Sequence, residues 1–130
     1  MSHRFSCRVY YEDTDLAGIV YYANYLKFIE RARSEWVREI GVDQGALKGE
    51  QGIVFAVRRV EADYVAPARF DDLLEITTTL DDITAARIML TQDVRREDTL
   101  LFHSTVTLVC LGEDGRPARI PADIRRLMTG

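Results

Sequence analysis

The chain has 130 residues, 47% of them hydrophobic and 29% charged, with a net charge of −4. That length fits one domain over residues 1–130, large enough to bury about two-thirds of the surface of its unfolded chain, and the composition excludes disorder. The acidic balance excludes a global basic field for nucleic acid or anionic lipid, and no apolar run approaches the roughly 20 residues that span a bilayer.

The first segment, Met1-Ser2-His3-Arg4-Phe5, lacks the apolar stretch of a signal peptide, and His3 sits near a terminus expected to fray. Arg4 to Tyr11 alternates Phe5, Cys7, Val9 and Tyr11 with Arg4, Ser6, Arg8 and Tyr10, the period of a half-buried strand. Glu12 to Gly18 is acidic, ends in glycine and reads as a loop. A helix is expected from Asn24 to Ile40, where Tyr25, Ile29, Ala32, Trp36 and Ile40 recur at spacings of three and four and Leu26 and Val37 widen the stripe. Arg31 and Glu35 are expected to pair across one turn, and Gly41 to stop the helix.

Four more strands are expected. Ile53 to Val65 is apolar in both phases at its start, before Arg58 and Arg59 intervene, which reads as burial on both faces at one end and a bulge. Leu73 to Leu80, Ile88 to Val94 and Leu100 to Leu111 follow, with turns expected at Asp81-Asp82, Arg96-Glu97-Asp98 and Glu113-Asp114-Gly115. After Pro121 the chain makes a short closing helix or ends. Short turns imply antiparallel neighbours, so the expected class is α+β, one long helix on a five-stranded antiparallel sheet. Element order alone does not fix one fold, since a cystatin-like sheet shares it. Apolar residues in the second phase, such as Leu101, Val109 and Leu111, suggest burial by a partner subunit.

Cys7 and Cys110 lie in alternating apolar stretches and read as small buried hydrophobes rather than as a metal or redox pair, which suits the cytoplasm. No metal site is expected: the only histidines are His3 and His103, and His103 reads as an ordinary strand residue. No serine has a nucleophile-elbow context, and no phosphate loop is present. Carboxylate chemistry remains. Glu12, Asp13 and Asp15 crowd together before the helix, whose N-terminal N–H groups favour negative charge and can stabilise an oxyanion. A plain alternative is that these acids only cap the helix.

The run from Tyr10 through Glu12-Asp13-Thr14-Asp15-Leu16-Ala17-Gly18 to Asn24-Tyr25-Leu26 resembles the signature of the 4-hydroxybenzoyl-CoA thioesterase family of hotdog enzymes. Glu30-Arg31-Ala32-Arg33 with Trp36 continues it, and Val65 to Ile76 is similar to the family's second recurring segment. The resemblance covers nearly the whole chain and is closest to the tol-pal-associated acyl-CoA thioesterases of Gram-negative bacteria. It implies a helix wrapped by an antiparallel sheet, subunits joined edge to edge as a homodimer or homotetramer, and an active site between subunits. It further implies that Asp15 is the catalytic nucleophile or general base, that the main-chain N–H of Tyr22 polarises the thioester carbonyl, and that an acyl-CoA or an acyl carrier protein thioester is hydrolysed. No metal or redox cofactor is implied; coenzyme A belongs to the substrate. The tol-pal-associated members usually carry histidine where Tyr22 stands, whereas the hydroxybenzoyl-CoA type has tyrosine. Other hotdog thioesterases use a helix glutamate, for which Glu30 is the candidate here, free to pair instead with Arg33 or Ser34. The rival function is a non-catalytic hotdog that binds acyl thioesters or protein partners.

Overall fold

A computed structural model describes residues 2–130. In chain order it has β1 (Ser2–Arg8), a 3-10 turn (Tyr11–Asp13), α1 (Asn24–Glu39), α2 (Gln44–Gln51), β2 (Val54–Tyr64), β3 (Leu73–Ile83), β4 (Ile88–Arg96), β5 (Thr99–Leu111), the short β6 (Pro117–Ala118) and α3 (Ala122–Thr129). The long strands pair antiparallel in the order β1-β3-β4-β5-β2, and β6 adds to β5. The expected five strands are therefore present with a short sixth.

α1 packs against one face of this sheet because its apolar residues fall on one stripe. Tyr25, Phe28, Ile29, Ala32, Trp36 and Val37 are buried against Leu74, Ile76, Leu90, Val94, Phe102 and Val106. Each large side chain so buried contributes about 1.5–3 kcal/mol. Leu26, expected to widen the stripe, is exposed. The expected Arg31–Glu35 pair does not form: Glu35 takes Arg38 at 2.6 Å, and Arg31 lies over the Phe28 ring at 6.0 Å. Gly41 has φ +99°, and the N–H of Val42 returns to the carbonyl of Val37, so the glycine stop is as expected.

Several boundaries differ from expectation for local reasons. β1 ends at Arg8, because the chain turns at Tyr11–Asp13, and Tyr11 is exposed rather than core. His3 does not fray: it pairs with Thr78 in register and its Nε2 lies 2.7 Å from Glu39. α2 escapes a periodicity reading because it buries only Leu47; Asp43 caps it at the Ala46 N–H, and Gly52, at φ +67°, ends it. Asp81-Asp82 is not a turn. Asp81 is a bulge residue inside β3, its carboxylate accepting from the Thr91 hydroxyl at 2.6 Å, and the chain reverses at Thr84–Arg87 instead. β2 does carry the bulge at Arg58, but it is an edge strand, half-buried at its start and exposed thereafter, not covered on both faces. Leu101 needs no partner to be buried. It is the extra residue of a β5 bulge, turned into the core of its own chain. Cys110 is buried and Cys7 half-buried, both unpaired; burial pushes each thiol up to about 11.

The core holds one fully buried amide. Gln92 donates to the carbonyl of Ile29 and the hydroxyl of Thr78, each at 2.9 Å, and accepts from Arg33, so α1 and the sheet are locked in register. A second lock is the Tyr25 phenol oxygen, which accepts the buried N–H of Ala68 at 3.0 Å. Tyr25→Phe strands that donor and is expected to lower stability by about 1–3 kcal/mol in urea denaturation. No change in the midpoint would show that the Ala68 N–H finds another acceptor.

Candidate active site

The acidic loop is a small hairpin seated on the start of α1. Thr14 bridges Val20, and the N–H of Asp15 donates to the carbonyl of Ile19 at 2.9 Å. Gly18 closes the reversal at φ +80°, a left-handed conformation that a side chain would strain, with its N–H on the Asp15 carbonyl. Asp15 turns its Oδ1 to the N–H of Ala17 at 2.9 Å, an Asx turn that fixes the carboxylate and leaves Oδ2 without an intrachain donor among the described residues. No cation of the described residues lies within ion-pairing distance of Asp15.

Two bonds tie this hairpin to the helix. The carbonyl of Asp13 accepts the Tyr21 N–H and the Asn24 side-chain amide, both at 2.9 Å. Asn24 is buried for this purpose, a role its place in the sequence motif does not disclose. The returning arm then reaches Tyr22 two residues after the Val20 bridge, immediately before α1.

The three acids do not converge on the helix end as expected. The Asp13 carboxylate accepts from the Tyr10 N–H at 2.8 Å and so holds the 3-10 turn, and Glu12 is exposed. The cap of α1 is Ala23, with no side-chain bond and no acid in the first turn. The capping alternative therefore fails for α1, and its N-terminal N–H groups are left for another acceptor. Among the described residues none accepts the Tyr22 N–H, whereas the Asn24 N–H returns to Tyr21.

Tyr22 is exposed, its ring edge-on to Tyr21 and Tyr64. Its carbonyl accepts the Tyr64 hydroxyl at 2.9 Å, so the far end of β2 clamps the peptide that follows the free N–H. Tyr25 stacks on Phe102 and Tyr64 meets both edge-on, forming one aromatic wall with ring centroids 4.9–5.5 Å apart. Sequence reasoning misses Tyr64, because 42 residues separate it from Tyr22.

The other candidates lie elsewhere. Glu30 is eight residues along from Tyr22, about 12 Å of helix, and accepts from the Ser34 hydroxyl at 2.9 Å rather than pairing with Arg33. His103 is a strand residue as expected, but not an unpartnered one: its Nδ1 lies 2.6 Å from Asp93 on the half-exposed sheet face. Among the described residues, no three His, Cys, Asp or Glu groups are placed to hold a metal, and no helix is long and apolar enough to cross a membrane.

An antiparallel sheet packed on one long helix, with a carboxylate turn set at that helix's start, is the hotdog arrangement. The model of the thioesterase-like superfamily matches residues 9–127, and the chain belongs to that family of thioester hydrolases. It is 42% identical over 123 residues to the acyl-CoA thioester hydrolase YbgC of Escherichia coli O6:H1, covering 93% of this chain and 91% of that one. Among solved structures it superposes on a probable thioesterase from Bartonella henselae with TM-score 0.89 and 37% identity, over 93% of this chain and 100% of that one. It also matches an Asp→Asn mutant of 4-hydroxybenzoyl-CoA thioesterase complexed with 4-hydroxybenzoyl-CoA, with TM-score 0.92, 26% identity and 98% of each chain covered.

Proposed function

We propose that the protein hydrolyses acyl-CoA thioesters to a carboxylic acid and free coenzyme A, with Asp15 as nucleophile or general base and the Tyr22 N–H as oxyanion donor. The observation that carries this reading is the pairing of a fixed but unneutralised carboxylate with an unused helix-terminal N–H on the same hairpin. As the thioester carbonyl is attacked, charge gathers on its oxygen, where a preorganised N–H acts most strongly. The C–S bond then breaks and the coenzyme A thiolate leaves. If Asp15 attacks directly, water hydrolyses the resulting anhydride; if it acts as base, water adds at once. Neither route calls on a metal or redox cofactor, and coenzyme A enters as part of the substrate. Similarity to YbgC supports coenzyme A as the carrier, and two unpaired cysteines suit a cytoplasmic setting. A panel of aliphatic and aromatic acyl-CoAs, followed by thiol release, tests the reading. Saturable hydrolysis of at least one is expected; thioester binding without turnover across the panel would leave a non-catalytic hotdog.

The working unit is proposed to be a homodimer or a pair of dimers. β2 ends the sheet with eleven residues, has no partner among the described residues along one side, and exposes Val57, Val60 and Tyr64. Such an edge invites pairing with a second copy. Sedimentation at micromolar concentration is expected to give at least twice the 14.9 kDa chain mass, and a compact monomer contradicts it.

A further inference from the structure

We infer that Tyr64 is a positioning residue for the oxyanion donor, its hydroxyl holding the main chain at Tyr22 so that the free N–H keeps its aim. The use of that N–H in catalysis rests on the thioesterase reading above; the hold of Tyr64 on Tyr22 does not. Tyr22 lies just outside α1, whose cap Ala23 makes no side-chain bond. A helix end frays, so the chain there needs another anchor. Two peptide planes meet at the Cα of Tyr22, each able to turn only about φ or ψ. The first carries the free N–H, and its oxygen, on Tyr21, accepts the Asn24 N–H at 2.8 Å. The second carries the Tyr22 carbonyl, which accepts the Tyr64 hydroxyl at 2.9 Å. Among the described residues no other donor reaches that carbonyl; the Leu26 N–H goes to Ala23 instead. The Asn24 bond closes one short turn by itself. With the second plane released, Tyr22 can rotate and tilt that turn, and the N–H with it.

Tyr64 is itself held. It stands opposite Phe102 in the β2–β5 register, and its ring meets the buried rings of Phe102 and Tyr25 edge-on at 5.1 and 5.5 Å. Packing against two buried rings keeps the side chain in one rotamer and makes its hydroxyl a fixed donor. Partial desolvation, and then the neighbouring Tyr22 and Tyr25 phenols, raise its pKa above the ordinary tyrosine value, so the donor proton is kept through the neutral range. That proton is committed to the Tyr22 carbonyl, so Tyr64 acts through Tyr22 rather than on the substrate. The bond lies within one chain and needs no access to solvent, and main-chain pairing of a second copy along the β2 edge does not consume the hydroxyl. Tyr64→Phe keeps the ring in the aromatic wall and removes only this bond.

That variant of the full chain tests the inference by two readouts. By NMR, the backbone order parameter of the Tyr22 N–H is expected near the rigid value of about 0.85 in the parent and below about 0.6 in Tyr64→Phe. In acyl-CoA hydrolysis, kcat is expected to fall about three- to tenfold, the scale of one neutral hydrogen bond, with KM and the melting midpoint little changed. Double variants separate positioning from a general structural effect. Tyr22→Pro lacks the N–H but keeps the carbonyl that Tyr64 holds, so adding Tyr64→Phe to it should cost nothing further. Added to Tyr22→Phe, it should cost what it costs the parent. An unchanged order parameter overturns the inference. So does a normal kcat in Tyr64→Phe beside an impaired Tyr22→Pro, or an equal loss in the parent and Tyr22→Pro backgrounds. A raised KM with kcat intact also overturns it, by placing Tyr64 on the substrate. A fallen order parameter in a protein without turnover, or with a fully active Tyr22→Pro, upholds the hold of Tyr64 on Tyr22 and counts against the catalytic reading alone.

Discussion

Asp15→Asn is expected to lower kcat for acyl-CoA hydrolysis by at least about a hundredfold, the usual scale for a lost acid–base group, with KM little changed. The amide keeps the size of the carboxylate and its carbonyl oxygen, so the bond from the Ala17 N–H can survive and the hairpin geometry with it. What disappears is the charge, and with it both the nucleophile and the base. The exposed turn makes a folding defect a poor explanation for lost activity, and an unchanged thermal midpoint would confirm this. Glu30→Gln supplies the contrast: bonded to Ser34 and about 12 Å along the helix from Tyr22, Glu30 should be dispensable for turnover. Near-normal kcat in Asp15→Asn, or a larger loss in Glu30→Gln, removes Asp15 from the chemistry.

How far the sequence discloses this site follows from where its parts lie along the chain. Asp15, Gly18, Tyr22 and Asn24 fall within ten residues, so one contiguous motif carries the hairpin and the helix start. The α1 stripe is legible because a helix packed on a sheet must repeat its apolar residues every three or four positions. The bulge at Arg58 is legible because two charges interrupt an apolar alternation. Tyr64 and Ala68 are not, since their bonds to Tyr22 and Tyr25 come from chain reversal over about forty residues. Asp81 misleads for a different reason: aspartate favours turns, yet here the Thr91 hydroxyl satisfies it within the sheet and the strand runs on. Only the fold shows that Arg33 points inward and donates to the buried Gln92 amide, 59 residues away in the chain.

Substitutions at Tyr22 separate its backbone from its side chain, and the largest effect is expected from the one that alters the backbone. Tyr22→Phe should keep most activity, because the ring is exposed and its hydroxyl has no intrachain partner among the described residues. Tyr22→His should be tolerated as well and should add a titration to the rate profile near the histidine pKa of about 6.5. Tyr22→Pro removes the N–H itself. That N–H has no acceptor among the described residues, so proline breaks no intrachain bond there, and Tyr21 before it already lies outside the helix. If the N–H holds the oxyanion, its loss should cost about 10²–10³ in kcat, the range for one such donor, while circular dichroism and melting remain close to those of the parent. The expected order of damage is Pro far above His and Phe. A Tyr22→Phe enzyme as inactive as Tyr22→Pro would place the phenol in the chemistry, and a fully active Tyr22→Pro enzyme would move the oxyanion donor elsewhere.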